Sequence, residues 1–318
     1  MFKQALIRAC LLVPCVSFAV CAGETFYINP HSSAALWVKA HPDDPRAAKI
    51  RTAIADVPGA QWLTGTSQST ASLSDAVRRY SLAAQQQHKT PVFVAYNLPD
   101  RDCSGGASAG GAANGAEYRM WIDQMVNGLG DKPAVLILEP DALADIECLT
   151  PAKRAERLDL MRYAVDRSRQ HAPATDVYLD AGNANWKPAA TMAASLNAAG
   201  IKNARGFALN VSNFYPLQMS RDYGDALNAR LSSEFGYTRA MVIDTSRNGN
   251  GAKGGQWCNP PGRKIGVQPG EIAKNVLALW VKVPGNSDGD FSPLADCHGG
   301  PAAGVFSPDL AIRLIEGR

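Results

Sequence analysis

Short apolar runs alternating with longer amphipathic stretches set the rhythm of this chain. Val135-Leu136-Ile137-Leu138, flanked by Pro133 and Pro140, is too short for a helix and reads as a strand buried on both faces. Similar runs predict strands at Gln61–Leu63, Val92–Tyr96, Ala134–Leu138, Val177–Leu179, Gly206–Leu209, Ala240–Ile243 and Leu277–Val281. The amphipathic stretches between them, Leu73–Gln87, Tyr118–Leu129, Pro151–His171 and Asp222–Phe235, predict helices. Ahead of these, Thr25–Pro30 reads as a short strand closed by a turn, and Ser33–Ala40 and Pro45–Ala55 as two helices. Such alternation calls for an α/β fold with a parallel sheet and crossover helices. About seven strands, without a glycine-rich phosphate fingerprint, favour a β/α barrel over a dinucleotide fold.

Polar groups gather at one end of these strands. Val92–Tyr96 runs into Asn97-Leu98-Pro99-Asp100-Arg101-Asp102-Cys103, and Ala134–Leu138 into Glu139-Pro140-Asp141. The next four strands run into Asp180-Ala181-Gly182-Asn183, Asn210-Val211-Ser212-Asn213, Asp244-Thr245-Ser246-Arg247 and Lys282 through Gly289. In parallel α/β architectures the C-terminal strand ends are where sites are built. Proline fixes the backbone between Glu139 and Asp141, so the carboxylate after it is aimed rather than left mobile. The competing reading, a surface turn containing Glu-Pro-Asp, loses ground because consecutive strands all deliver polar groups to the same rim.

Composition narrows the setting. The 318 residues, 46% hydrophobic and 19% charged, suit one enzyme-sized domain with a large core. A formal charge of +3 argues for neither nucleic acid nor an acidic membrane as partner. Lys3 and Arg8 precede an apolar run from Ala9 to Val20, and Val20-Cys21-Ala22 precedes Gly23. That pattern predicts a secretory signal at residues 1–22, a single catalytic domain over 23–318, and a secreted protein, extracellular or retained in a periplasm. The apolar run is too short to span a membrane. Cys103, Cys148, Cys258 and Cys297 remain after the signal. An even number in an exported chain points to disulfides, with three connectivities open, and no pair has zinc-site spacing.

Several carboxylates with tryptophans and amides, and no serine–histidine or cysteine–histidine signature, point to glycosidic bond hydrolysis. That reaction needs one protonated carboxyl for the leaving oxygen and a second group on the opposite face. Crowded carboxylates push their pKa values apart and keep one of them protonated. Tryptophans offer flat apolar faces to sugar rings, and Asn, Lys and Arg offer hydroxyl contacts. Clustered aspartates also bind divalent metals. Here they come singly from different strands with no phosphate-binding loop, so no metal and no cofactor is expected.

Two stretches carry a family resemblance. Tyr96-Asn97-Leu98-Pro99-Asp100-Arg101-Asp102-Cys103, with the glycine-rich loop after it, resembles the first signature of glycoside hydrolase family 6. Leu136-Ile137-Leu138-Glu139-Pro140-Asp141-Ala142-Leu143 resembles the second. The likeness extends through Tyr178–Gly182, Asp244–Gly249, Trp257-Cys258 and Pro301–Gly304. It implies an inverting β-1,4-glucanase acting on β-1,4-glucan chains, with a distorted, partly open barrel and sequential disulfides, Cys103–Cys148 and Cys258–Cys297. By position, Asp141 is then the proton donor, Asp102 the residue that raises the donor's pKa, and Asp288 the base. Asp180 is a supporting aspartate, Tyr96 lies beneath the distorted sugar and Ser108 helps place the water. Trp37, Trp186, Asn213, Trp257 and Lys282 match sugar-contacting positions. Two departures also fall at substrate-contact positions: Asn183 stands where the family has histidine, and Asn286 where it has glutamate.

The remaining polar residues have plainer readings. Asp244 and Arg247 read as a structural ion pair, Asp100 and Arg101 as residues that orient Asp102, and the five histidines as solvated or loop residues. The intervals Leu143–Pro151 and Asp288–Pro301 are too short to roof a groove. An open cleft, internal cutting and a monomeric enzyme are the expectations, with a cellobiohydrolase of the same family, or a polysaccharide-binding protein with little turnover, as the alternatives.

Overall fold

The computed structural model describes residues 26–65 and 70–318; the expected signal segment lies outside the described residues. In chain order come helix α1 (Ser33–Ala40), α2 (Ala47–Ile50), strand β1 (Gln61–Thr64), α3 (Thr70–Gln86), β2 (Val92–Tyr96), α4 (Gly115–Leu129) and β3 (Ala134–Leu138). Then follow α5 (Pro151–His171), β4 (Thr175–Asp180), α6 (Ala189–Ala198), β5 (Gly206–Leu209), α7 (Leu217–Phe235), β6 (Ala240–Asp244), β7 (Gly270–Ala273), β8 (Val276–Leu279) and α8 (Pro308–Glu316). Local chemistry sets the starts. Thr150 accepts the Lys153 N–H with Pro151 in the first turn of α5, and Asn114 accepts the Glu117 N–H at α4. Among the described residues no helix is long and apolar enough to cross a membrane.

The eight strands form one sheet in the order β1-β2-β3-β4-β5-β6-β8-β7, parallel except for the β7–β8 pair. Side chains alternate between two apolar layers, as period-two geometry requires. Phe93, Leu136, Leu179, Phe207 and Ile243 join the large core under the helices. Val94, Ile137, Tyr178, Ala208, Val242 and Leu277 fill the inside of the curl. A sheet buried on both faces explains why the strands read as continuous apolar runs. The sheet curls into a half-barrel, and its two sides touch beyond the ladders. The Ala60 N–H donates to the Trp280 carbonyl at 3.0 Å, and the Trp62 indole N–H to the Val281 carbonyl at 2.8 Å. Two contacts in place of a ladder make the distorted, partly open barrel that was expected.

The differences from the sequence expectation have local causes. The first expected strand is reduced to a single bridge, Phe26 with Thr90, and its Thr25 lies outside the described residues. The second helix starts at Ala47 and passes into a π-helical turn at Arg51–Ala55. The last inner strand ends at Leu279, which frees Trp280–Lys282 to reach the rim. The periodicity missed β7, a half-exposed antiparallel edge with an irregular register. It also missed α6, whose alanine-rich sequence has little polar contrast, and α8, capped by Ser307 ahead of Pro308. Both expected disulfides, Cys103–Cys148 and Cys258–Cys297, are formed.

Candidate active site

The inward parity of the strands continues one step past their apolar residues into a buried polar layer: Glu139, Asp180, Asn210 and Asp244. Each accepts backbone N–H groups from rim loops. Glu139 Oε2 takes the N–H of Asn97 (2.9 Å) and Leu98 (3.1 Å) after β2. Asp180 Oδ1 takes those of Asp141 (3.0 Å) and Gly182 (2.9 Å). Asp244 takes those of Ser212 (3.0 Å), Ser246 (2.9 Å) and Lys282 (3.0 Å). Asn210 bonds the Asp244 carbonyl through Nδ2 and accepts the Tyr215 N–H. To point those amides inward the chain adopts left-handed backbone at Asp100, Asp102, Glu139, Asp141, Asn210 and Ser212, with φ between 52° and 70°. Positive φ at residues with a Cβ persists only where surroundings over-determine it, and such residues gather at functional sites.

Asp141 stands over this layer, half-buried in the groove. Burial, then the neighbouring Asp180, Asp102 and Asp145, hold its carboxyl well above the usual range, with Lys282 pulling the other way. Burial likewise lifts Asp180 to about 7, against the two N–H groups that favour its charge. Glu139 rises to about 7 for the same reason. Asp102 is raised by burial, opposed by the Ser108 N–H at 2.6 Å on its Oδ2. A Cβ at Gly105 would lie 2.3 Å from Asp102 Oδ1, so this turn closes on the carboxylate only because the residue is glycine.

Asp288 has the opposite environment. Burial pushes its carboxyl up, but Arg247 and Lys282 outweigh that and leave it below its ordinary value. Arg247 Nη1 lies 3.0 and 2.8 Å from the two oxygens, Lys282 Nζ lies 3.1 Å from Oδ1, and the Asn259 N–H donates at 3.0 Å. One carboxyl raised well above its ordinary value and one held below it therefore share the rim.

Two joined cavities run across the strand ends, sharing Trp62, Tyr96, Ser108 and Lys282 in their walls. The acid lobe, about 420 Å³, contains Asp102, Asp141, Asp145 and Asp288 together with Asn183, Trp186, Asn213 and Trp257. The far lobe, about 650 Å³, carries Asn286 and continues past Trp62 and Gln61 to Asn29. Tyr96 forms the floor between them, its ring edge-on to Trp62 at 5.5 Å and covered by the Arg101 guanidinium at 4.7 Å.

A family model described as glycosyl hydrolases family 6 matches residues 21–318. The chain belongs to this family. Endoglucanase 1 of Streptomyces halstedii is 44% identical over 292 residues, covering 92% of this chain and 88% of that one. A probable 1,4-β-D-glucan cellobiohydrolase C of Aspergillus fumigatus is 32% identical, covering 88% and 71%. The solved endoglucanase Cel6 of Mycobacterium tuberculosis, in complex with methyl-cellobiosyl-4-deoxy-4-thio-β-D-cellobioside, superposes with a TM-score of 0.83 at 41% identity. It covers 93% of this chain and 98% of its own.

In this family 6 hydrolase the structure relocates several residues picked from the sequence. Trp37 lines neither lobe: His41 stacks on its ring at 4.9 Å and the Arg46 guanidinium lies 5.4 Å from it, beside Phe306, so its ring is engaged within the fold. Asp180, at 1% exposure, sits under the Asp141 loop and cannot touch a sugar directly. The expected Asp244–Arg247 pair does not form, because Arg247 is taken by Asp288 and Asp244 by backbone amides. Asp100 pairs with Lys153, and Arg101 donates to the Tyr96 and Ser108 carbonyls, so neither bonds Asp102. His31, given no role in the sequence, lines the far lobe.

Three residues went unnoticed in the sequence. Trp62 sits on a strand too short to reveal which face it presents. Asp145 joins the acid lobe and accepts the Ser104 hydroxyl and N–H beside the Cys103–Cys148 bridge. Arg157 of α5, 3% exposed, donates to the Ala142 carbonyl (3.2 Å) and to those of Pro99 (3.3 Å) and Asp100 (2.8 Å). It thereby ties the Asp141 loop to the Asp102 loop. Only its burial marks it, and burial is not readable from a helix whose other arginines are surface residues.

Two outcomes follow from these environments. Asp102→Asn removes a negative neighbour of Asp141, so the Asp141 carboxyl ionises more readily and the alkaline limb of kcat/KM moves to lower pH, as a pH–rate profile will read. Glu139 keeps its proton in the folded chain while the unfolded chain releases it, so its contribution turns destabilising as pH climbs from 4.5 to about 7. Glu139→Gln keeps an acceptor oxygen and loses that penalty. Its stability relative to the parent in urea melts rises between about pH 5 and about pH 8, by at most roughly 3 kcal/mol.

Proposed function

We propose that this chain is a secreted endo-β-1,4-glucanase that inverts the anomeric centre, with Asp141 as the general acid. The observation that carries the reading is the pairing, in one groove, of a carboxyl raised by burial and acidic neighbours (Asp141) with one held low by Arg247 and Lys282 (Asp288). Asp141 donates its proton to the leaving oxygen while water attacks the opposite face of the sugar, held over Tyr96. Asp288, held below its ordinary value by Arg247 and Lys282, stands as the base that receives the water's proton, and Asp102 keeps the Asp141 carboxyl raised. Trp62, Trp186 and Trp257 supply apolar faces for the glucan on either side of the cut.

Internal cutting is supported by the short rim loops. Between Leu143 and Pro151 the chain makes only a turn and one 3₁₀ turn (Ile146–Cys148), held down by the Cys103–Cys148 bridge. The endoglucanase names of the relatives from Streptomyces halstedii and Mycobacterium tuberculosis agree with this. The cellobiohydrolase relative keeps release of cellobiose from chain ends as the second reading. Viscosity of a soluble β-1,4-glucan, followed against reducing ends, separates the two. A steep early fall in viscosity is expected; steady cellobiose release at nearly constant viscosity would overturn the endo assignment.

The role of Asp141 has its own test. Acid catalysis is worth about 10²–10⁴-fold, so Asp141→Asn should lose that much turnover on an unactivated glucan while still binding it, because the sugar contacts lie elsewhere. Near-normal turnover by the folded variant refutes the role.

A further inference from the structure

The first two turns of α5 carry three cations, and each grips a loop beside the groove. Lys153 pairs with Asp100 at 2.7 Å. Arg154 donates to the Leu149 carbonyl (2.8 Å) and the Glu147 carbonyl (2.7 Å), which holds the 3₁₀ turn in place. Arg157 lies deepest and serves two loops at once. Its Nη1 donates to the Ala142 carbonyl, one residue past Asp141, and its Nη2 to the Pro99 and Asp100 carbonyls, just ahead of Asp102. Those loops hold three left-handed residues, Asp100, Asp102 and Asp141, at φ 55°, 52° and 70°. Such backbone stays in place only where its surroundings over-determine it. Arg157, Asp102, Asp141, Asp145 and Glu139 also line one cavity of about 10 Å³, the size of a single water. Among the described residues no carboxylate lies within ion-pair distance of Arg157, and its Nε is buried without a protein partner. If packing were all the site required, an apolar side chain would fill it with less penalty than a buried cation.

We infer that Arg157 is a positioning residue for the general acid: by fixing the Asp141 loop to the Asp102 loop, it keeps the Asp141 carboxyl within reach of the glycosidic oxygen. The inference rests on the glucanase reading and adds to it a residue that touches no sugar. A forked guanidinium suits the task, because its nitrogens, held in one plane, reach carbonyls on separate loops, whereas an ammonium is a single point. Misplacing a reacting group by about 1 Å can cost about 10²-fold in rate.

The test compares two substrates on the full chain. One is an unactivated soluble β-1,4-glucan, whose leaving oxygen needs the acid's proton. The other is a dinitrophenyl β-cellotrioside, whose leaving group departs without one. For Arg157→Lys and Arg157→Met, kcat on the glucan is expected to fall by about 10²-fold, with KM little changed because the sugar contacts lie elsewhere. On the aryl glycoside the fall should be about tenfold smaller, since proton donation matters little there. A residue serving the fold alone would lower both rates alike, in proportion to the folded fraction read by circular dichroism. Equal falls on the two substrates, a rise in KM without a fall in kcat, or either folded variant with parental kcat on the glucan would overturn the inference. Should Arg157→Met not fold, Arg157→Lys, which keeps the charge and most of the stem, decides. Failure of both to fold assigns Arg157 to the fold and overturns the inference as well. If the parent chain does not cut the glucan, the failure belongs to the glucanase reading, not to this one.

Discussion

The rim of this barrel depends on one interaction repeated around it: a buried carboxylate or amide at a strand end accepting the backbone N–H groups of a loop. Glu139 holds the loop after β2, Asp180 the loop carrying Asp141, and Asp244 the loops carrying Ser212 and Lys282. Most of these bonds cross to a different strand from the one that provides the acceptor, so each loop is fixed by its neighbour. Several acceptors face left-handed backbone that would not survive alone. Carboxylates are used because one oxygen accepts two N–H groups at once. The accompanying cost is a buried acid whose pKa is lifted, as at Glu139 and Asp180.

This layer also generates the chemistry above it. Asp141 is raised in part because Asp180, needed to hold its loop, lies directly below. The same proximity that positions the acid raises its pKa. On the other side of the groove, Asp288 is drawn down by Arg247 and Lys282. Opposite pKa shifts in two aspartates thus come from what each must touch in order to be placed.

The strands and the gathering of polar residues at one rim were legible because they depend on local pattern, whereas the sequential disulfides came only with the family resemblance. A doubly buried strand needs an apolar run, and the rim needs polar groups just after it. Sorting the carboxylates was not legible. Glu139 and Asp141 are two residues apart, yet one turns into the core and the other into the groove, a choice made by left-handed φ values that no composition reveals. Trp37 read as a sugar platform; it lines neither lobe, and His41 and Arg46 lie against its half-buried ring, partners brought to it by the fold of α1 and the turn before α2. Arg157 was invisible because its role is to span two loops far apart in sequence.

Since the loops are pinned through their backbones, their side chains carry little of the burden of holding them. Asn183 and Asn286, which depart from the family pattern, sit in such loops without disturbing the amides beneath. Substitution at such positions can therefore revise what the groove grips, one side chain at a time, while the backbone bonds that place the acid stay as they are. In this fold, diet and catalysis are separable traits.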